Sequence, residues 1–117
     1  MPRDIPIGNG RLLLTFDRYY NLRDLYFPHV GQENHIGGRL SRFGVSVDGR
    51  FAWFGPDWRI DLQYEDDTLV TQVSLYHPDL KILLRCRDAV DFHENIYLKD
   101  ITVENLLPQE RVVKLFW

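Results

Sequence analysis

Apolar and polar side chains alternate along this chain with a period of two. From Asp57 to Tyr64, the residues Trp58, Ile60, Leu62 and Tyr64 share one parity, and Asp57, Arg59, Asp61 and Gln63 share the other. Successive side chains of a strand point to opposite faces, so this pattern predicts a β-strand with one side in a core and one in water. Leu12, Leu14 and Phe16 repeat the pattern near the start, and Ile82, Leu84 and Cys86 repeat it later. Leu69, Val73 and Leu75 are expected to line one face of another strand, with Gln72 and Ser74 opposite.

Turn chemistry punctuates these runs. Gly8-Asn9-Gly10 is expected to precede the first strand. Asp48-Gly49 separates Phe43–Val47 from Phe51–Phe54, the dipeptide that two-residue hairpins favour because both positions need positive φ. A two-residue loop there sets Trp53 opposite Gly44, and an aromatic ring can then cover the glycine. Glu65-Asp66-Asp67, His77-Pro78-Asp79 and Pro108-Gln109-Glu110 supply further turns. Between Ile96 and Leu106 the phase is broken: Ile96 and Leu98 fall on one parity, Ile101 and Val103 on the other. A bulge near Lys99-Asp100 would switch the face.

No stretch carries helical periodicity, and no repeat or linker is evident. The pattern therefore predicts an all-β fold, an antiparallel β-sandwich, as a single domain over residues 1–117. Hydrophobic residues make up 44% of the chain, enough to exclude global disorder. A net charge of −3, with no basic block, argues against a nucleic-acid surface. No run approaches the ~20 apolar residues of a membrane helix. One cysteine, Cys86, excludes an internal disulfide and fits a reducing compartment, and the opening MPRDIPIGNG has no signal-peptide core. A cytoplasmic location is the expectation. The terminal run Arg111–Trp117 reads as an apolar edge strand, expected to be covered by further chain or by a partner.

Residues 28–39 form a long loop among tight turns, and such loops commonly carry contacts. His29, Glu33 and His35 could in principle ligate a metal, but their spacing matches no recurring ligand pattern, so no metal or other cofactor is expected. Their blander role is to bond the loop's own backbone; a middle reading has the loop touching a ligand or another domain. Glu65, Asp66 and Asp67 read as a solvated turn. Asp88, Asp91 and Glu94 around His93 read as another wet connection. Tyr19, Tyr20, Trp53 and Trp58 could stack on sugar rings, though a small sandwich needs most large aromatics in its core. Cys86, in phase with Ile82 and Leu84, reads as a small buried hydrophobe. No catalytic residue can be picked from the chain's 17 acidic side chains.

Gly8-Asn9-Gly10, the RDLYFP segment Arg23–Pro28, and Gly31-Gln32-Glu33-Asn34-His35 occur in this order. They are followed by Val103–Leu106, the Pro108 turn and Val112–Trp117. The series resembles the N-terminal β-sandwich of bacterial and archaeal glycoside hydrolase family 15 proteins, the glucoamylase-like and trehalase-like group. The resemblance implies a galactose-mutarotase-like supersandwich, here truncated, preceding an (α/α)6 barrel. In that family the barrel carries two glutamates that hydrolyse α-glucosidic bonds with inversion; neither maps onto this sequence. It further implies that Gly31, Gln32, Glu33, Asn34 and His35 contact the barrel, or an α-glucan or trehalose near it. The expected role is a non-catalytic accessory domain. The alternatives are a free-standing carbohydrate-binding module or one that self-associates as a homodimer through its C-terminal strand.

Overall fold

The structure, a computed structural model, describes residues 5–28, 34–36 and 42–116. Among these residues every regular element is a β-strand and every pairing is antiparallel, as the period-two pattern predicts. The strands form three sheets. β1 (Ile5–Gly8), β2 (Leu13–Phe16) and β3 (Leu22–Tyr26) make the first. β4 (Gly44–Val47) lies between β5 (Arg50–Trp53) and β10 (Val113–Phe116) in the second. β6 (Arg59–Tyr64), β7 (Thr71–His77), β8 (Ile82–Val90) and β9 (Tyr97–Asn105) follow in sequence order in the third.

One core joins the three sheets in a sandwich-like arrangement. It is built from the inward parity of each strand: Ile5 and Ile7, Leu14 and Phe16, Val45 and Val47, Val73 and Leu75, and Ile82, Leu84 and Cys86. Each such side chain contributes roughly 1.5–3 kcal/mol through burial. Trp58 is buried as well, its ring edge-on to Phe54 and to His77, and its indole N–H bonded to the Trp53 carbonyl at 3.0 Å. Tyr64, at the far end of β6, donates to the Pro6 carbonyl and so ties the third sheet to the first.

Four expectations change. The first strand is Ile5–Gly8, and the Gly8-Asn9-Gly10 turn follows it rather than opening the fold. Pro6 hides this strand from a sequence reading, yet β1 is an edge strand, the place where a sheet tolerates a residue without an N–H. Leu69 does not join Val73 and Leu75: it is 64% exposed in the turn before β7, and Thr71 takes the first buried position. No bulge lies near Lys99-Asp100, because β8 and β9 pair without a break from Ile82↔Asn105 to Val90↔Tyr97. The inward parity of β9 is Tyr97, Lys99 and Ile101, while Ile96 and Leu98 are simply exposed. The register shift occurs instead between Thr15 and Phe16, where β2 pairs with β3.

The Asp48-Gly49 hairpin forms as predicted, with φ of 49° at Asp48 and 84° at Gly49. Its register places Trp53 opposite Gly44. A Cβ at position 44 would lie 2.8 Å from Trp53 Cε3, 2.9 Å from Phe51 Cζ and 3.0 Å from the Ala52 carbonyl oxygen. The two rings can give way, but the carbonyl is fixed by the sheet. Gly44→Ala is therefore expected to lower stability by about 1–3 kcal/mol, the usual range for overpacking. Urea unfolding checks this; an unchanged midpoint would show that the rings do not need the glycine.

Candidate functional site

Among the described residues, the most concentrated chemistry is a polar cluster sealed between the first and third sheets. Asp88 continues the buried parity of β8 beyond Cys86 and is 0% exposed. A bare carboxylate there would be prohibitively costly, so it must be paired and hydrogen-bonded. Its Oδ2 accepts from the Tyr20 hydroxyl and from Thr71 Oγ1 at 2.8 Å; its Oδ1 accepts from the Tyr97 hydroxyl. Lys99 Nζ stands 2.9 Å from Oδ1. Thr71 Oγ1 in turn accepts the backbone N–H of Asp88 at 2.8 Å.

Lys99 is caged as well as paired. Its ammonium lies 3.9 Å from the Tyr20 ring centroid, 4.5 Å from Phe43, 5.4 Å from Phe16 and 5.8 Å from Tyr97. It also donates to the Tyr20 hydroxyl. These ring faces replace part of the hydration that the charge loses. Burial pulls the Lys99 pKa below its ordinary value, and the Asp88 charge pushes it back. Burial, then the Asp88 charge, raises both Tyr20 and Tyr97 well above a normal phenol, so both remain donors. Burial also lifts the Cys86 thiol to about 11, against the opposing charge of Lys99, and it packs as the small hydrophobe its phase predicts.

Tyr20 reaches the cluster through an unusual turn. It sits at φ 65°, a left-handed conformation that non-glycine residues rarely adopt. Asp17 holds the turn: its Oδ1 accepts the N–H groups of Tyr19 and Asn21 at 2.9 Å each, and its carbonyl accepts that of Tyr20 at 3.0 Å. Both Asp88 oxygens are thus occupied by the chain's own groups. The adjoining cavity, bounded by Tyr20, Cys86, Lys99 and Leu115, measures about 10 Å³, room for one water at most. The cluster fastens sheets together and offers no place for a substrate.

This corrects the wet-connection reading of Asp88. Asp91, His93 and Glu94 do lie in an exposed connection. Backbone N–H bonds from Glu94 and His93 hold the Asp91 carboxyl below its usual range. Asn9 clamps the same connection: its Nδ2 donates to the carbonyls of Asp91 (2.9 Å) and Glu94 (3.2 Å) and to Asn95 Oδ1 (3.2 Å). Its Oδ1 accepts from the N–H groups of Arg11 and Leu12. The Gly8-Asn9-Gly10 turn is thereby a structural clasp. Glu65 pairs with Arg87, so the Glu65–Asp67 turn is solvated but partly neutralised.

Of the loop residues singled out by resemblance, Gly31, Gln32 and Glu33 lie outside the described residues, as does His29. Asn34 and His35 fold back on β3. Asn34 Oδ1 accepts from the N–H groups of Leu25 (3.2 Å) and Ile36 (3.1 Å), and its Nδ2 donates to Asp24 at 2.8 Å. His35 bonds the Leu25 carbonyl through its N–H at 2.7 Å and the Phe27 carbonyl through Nε2 at 2.7 Å. These two side chains do the loop-shaping job. Among the described residues, no three His, Cys, Asp or Glu gather where they could hold a metal ion. Of the four candidate stacking aromatics, Tyr20 and Trp58 are core residues, Tyr19 is half-buried beneath the Arg18 guanidinium, and Trp53 stands exposed.

The fold defines an antiparallel β-sandwich, and a sequence comparison relates it to part of a larger protein. The chain is 30% identical over 112 residues to an uncharacterized glycosyl hydrolase from Methanocaldococcus jannaschii. The match covers 95% of this chain but 17% of that protein's length. The chain is accordingly a sandwich domain related to a segment of a glycosyl hydrolase. No family model and no solved structure matches it. Among the described residues, no helix is long and apolar enough to cross a membrane.

Proposed function

We propose that this chain is the non-catalytic accessory sandwich of a glucoamylase-like, family 15 glycoside hydrolase acting on α-glucosidic bonds. In this reading it packs against, and positions, an (α/α)6 catalytic barrel. The observation that carries it is the match itself: almost the whole sandwich corresponds to a small fraction of a glycosyl hydrolase. The sealed Asp88 cluster supports the non-catalytic part, since the one deeply buried acid among the described residues has no oxygen to spare for an incoming sugar. In this reading Gly31–His35 approach the barrel or a glucan beside it, with Asn34 and His35 fixing the loop's base on β3.

The reading predicts that the purified 117-residue chain releases no glucose from maltooligosaccharides or trehalose above the buffer rate. A coupled glucose assay checks this, and sustained turnover by the chain alone would place the chemistry within the sandwich and overturn the proposal.

A further inference from the structure

The outer face of the four-stranded sheet carries a dent of about 230 Å³, floored by Val73 and Cys86. Two rows of outward side chains wall it. Arg87 and Asp100 pair in one row, flanked by Gln72, and Ser74, Arg85 and Thr102 pair across the next. The two arginines lean apart. Arg87 reaches the Glu65 carboxylate at 2.5 and 3.2 Å, and Arg85 reaches Glu104 at 3.3 Å. Glu65 follows β6 on the Arg87 side, and Glu104 lies opposite Leu83, on the far side of Arg85. The divergence of the guanidinium groups leaves the dent between them.

The polar groups around it have capacity to spare. The side chains of Gln72, Ser74, Asp100 and Thr102 make no hydrogen bond to another described residue. Among the described residues, Arg85 engages only Nη1 and Arg87 only Nε and Nη2, so each guanidinium keeps free N–H donors. Charge narrows what could occupy the dent. The two guanidinium groups meet three carboxylates, those of Glu65, Glu104 and Asp100, and the net negative charge opposes phosphate or another anion. Asp100 is the single carboxylate left without a hydrogen bond, too few oxygens for a hard cation. A neutral molecule fits, provided that its polar groups both donate and accept. Hydroxyls do both, and a ring bearing several of them can meet an amide, two hydroxyls, a carboxylate and guanidinium N–H groups together. Clefts for drug-sized ligands span roughly 300–1,000 Å³, so this smaller dent suits one ring. No aromatic side chain lines it, so hydrogen bonds supply the affinity without stacking.

We propose that this dent binds a single sugar ring, with Asp100 and the Arg85 and Arg87 guanidinium groups spanning its hydroxyls and Gln72, Ser74 and Thr102 completing the contacts. The choice of a sugar among neutral polyols rests on the hydrolase reading above. The site holds the sugar without cleaving it, and so adds sugar retention to the accessory role.

Titration of the 117-residue chain with methyl α-glucoside, read by the NMR shifts of backbone amides, tests it. The amides of residues 72–74, 85–87 and 100–102 are expected to move together and to saturate with a Kd on the order of 1–10 mM, the scale of a small ligand held by a few hydrogen bonds. Asp100→Ala is expected to weaken binding roughly tenfold or more, the loss of a hydrogen bond to a charged group. Position 100 is exposed, so the urea midpoint should hold. Thr102→Ala, at a second exposed position, is expected to weaken binding severalfold. Four results would each overturn the site. Shifts centred on Phe51, Trp53 and Phe116, the exposed aromatic face of the β10-β4-β5 sheet, would put the sugar on those rings. Inorganic phosphate moving the same amides at lower concentration would make it an anion site. The other two are the absence of a saturable shift below about 100 mM, and parent-like binding by both variants. None of the four touches the accessory reading, which stands or falls on glucose release. Glucose release by the chain alone that survives Asp100→Ala would sink that reading and leave this site in place.

Discussion

Asp88→Ala should be the most damaging single substitution at a polar position, costing about 3–5 kcal/mol, because it strands a buried ammonium and three hydroxyls. Lys99 would keep its place among the four rings with no counter-charge, and Tyr20, Tyr97 and Thr71 would lose their shared acceptor. A domain with about 5–15 kcal/mol of total stability loses roughly a fifth or more of it in this way. With a urea slope of about 1–3 kcal/mol per molar, the unfolding midpoint drops by roughly 1 M or more. Removing both charges should cost less than the sum of the single changes. In Asp88→Asn with Lys99→Met, the amide oxygen still accepts from a hydroxyl while no unpaired charge remains. A midpoint for Asp88→Ala within error of the parent would show that the cluster contributes nothing net to the fold.

Tyr20→Ala is expected to cost about as much, roughly 3–5 kcal/mol, through a different mechanism, since a buried aromatic ring is deleted. The ring stacks on Phe16 at 5.2 Å and packs against Phe43 at 5.9 Å and Phe54 at 6.2 Å, so its loss opens the junction of all three sheets. Tyr20→Phe keeps the ring and leaves Asp88 short of one donor, for about 1–3 kcal/mol. The backbone supplies a second check. Position 20 is left-handed, a conformation that costs a Cβ-bearing residue about 1–2 kcal/mol. Tyr20→Gly should therefore be more stable than Tyr20→Ala by about 1 kcal/mol, although it removes one carbon more. Thermal and urea unfolding of the three variants check the order Phe, then Gly, then Ala; Ala above Gly would mean that the turn is not strained at this residue.

The fold was legible wherever the two faces of a strand differ in polarity. β2, β6, β7 and β8 each announce their buried parity through Leu14 and Phe16, Leu62, Val73 and Leu75, and Ile82 to Cys86. The hairpin at Asp48-Gly49 was legible down to its register, because only a few turns suit that dipeptide. β9 was misread for a single reason. Its inward face carries Lys99 between Tyr97 and Ile101, so the residue that should have set the phase looked like a surface residue. The same masking hid Asp88, which stands in the apolar parity of β8 two positions past Cys86. An acid and a base on adjacent strands, each in the apolar phase of its own strand, are the trace that a buried pair leaves in a sequence. Extending the two patterns by one step would have brought them together. Nothing in the pattern could reveal the aromatic face, because Phe51 and Trp53 have the spacing of core residues and only the register of β4 turns them outward.

The Asn9 clasp has a consequence for how the polypeptide is made. Its acceptors lie 82 to 86 residues further along, so the opening hairpin leaves the ribosome long before the groups that secure its turn exist. Until residue 95 emerges, the turn of this hairpin lacks its clasp, and an isolated hairpin is marginal in water. Closing so long a loop is also slow. The closing of this turn is thus a late step, gated by the arrival of the β8–β9 connection.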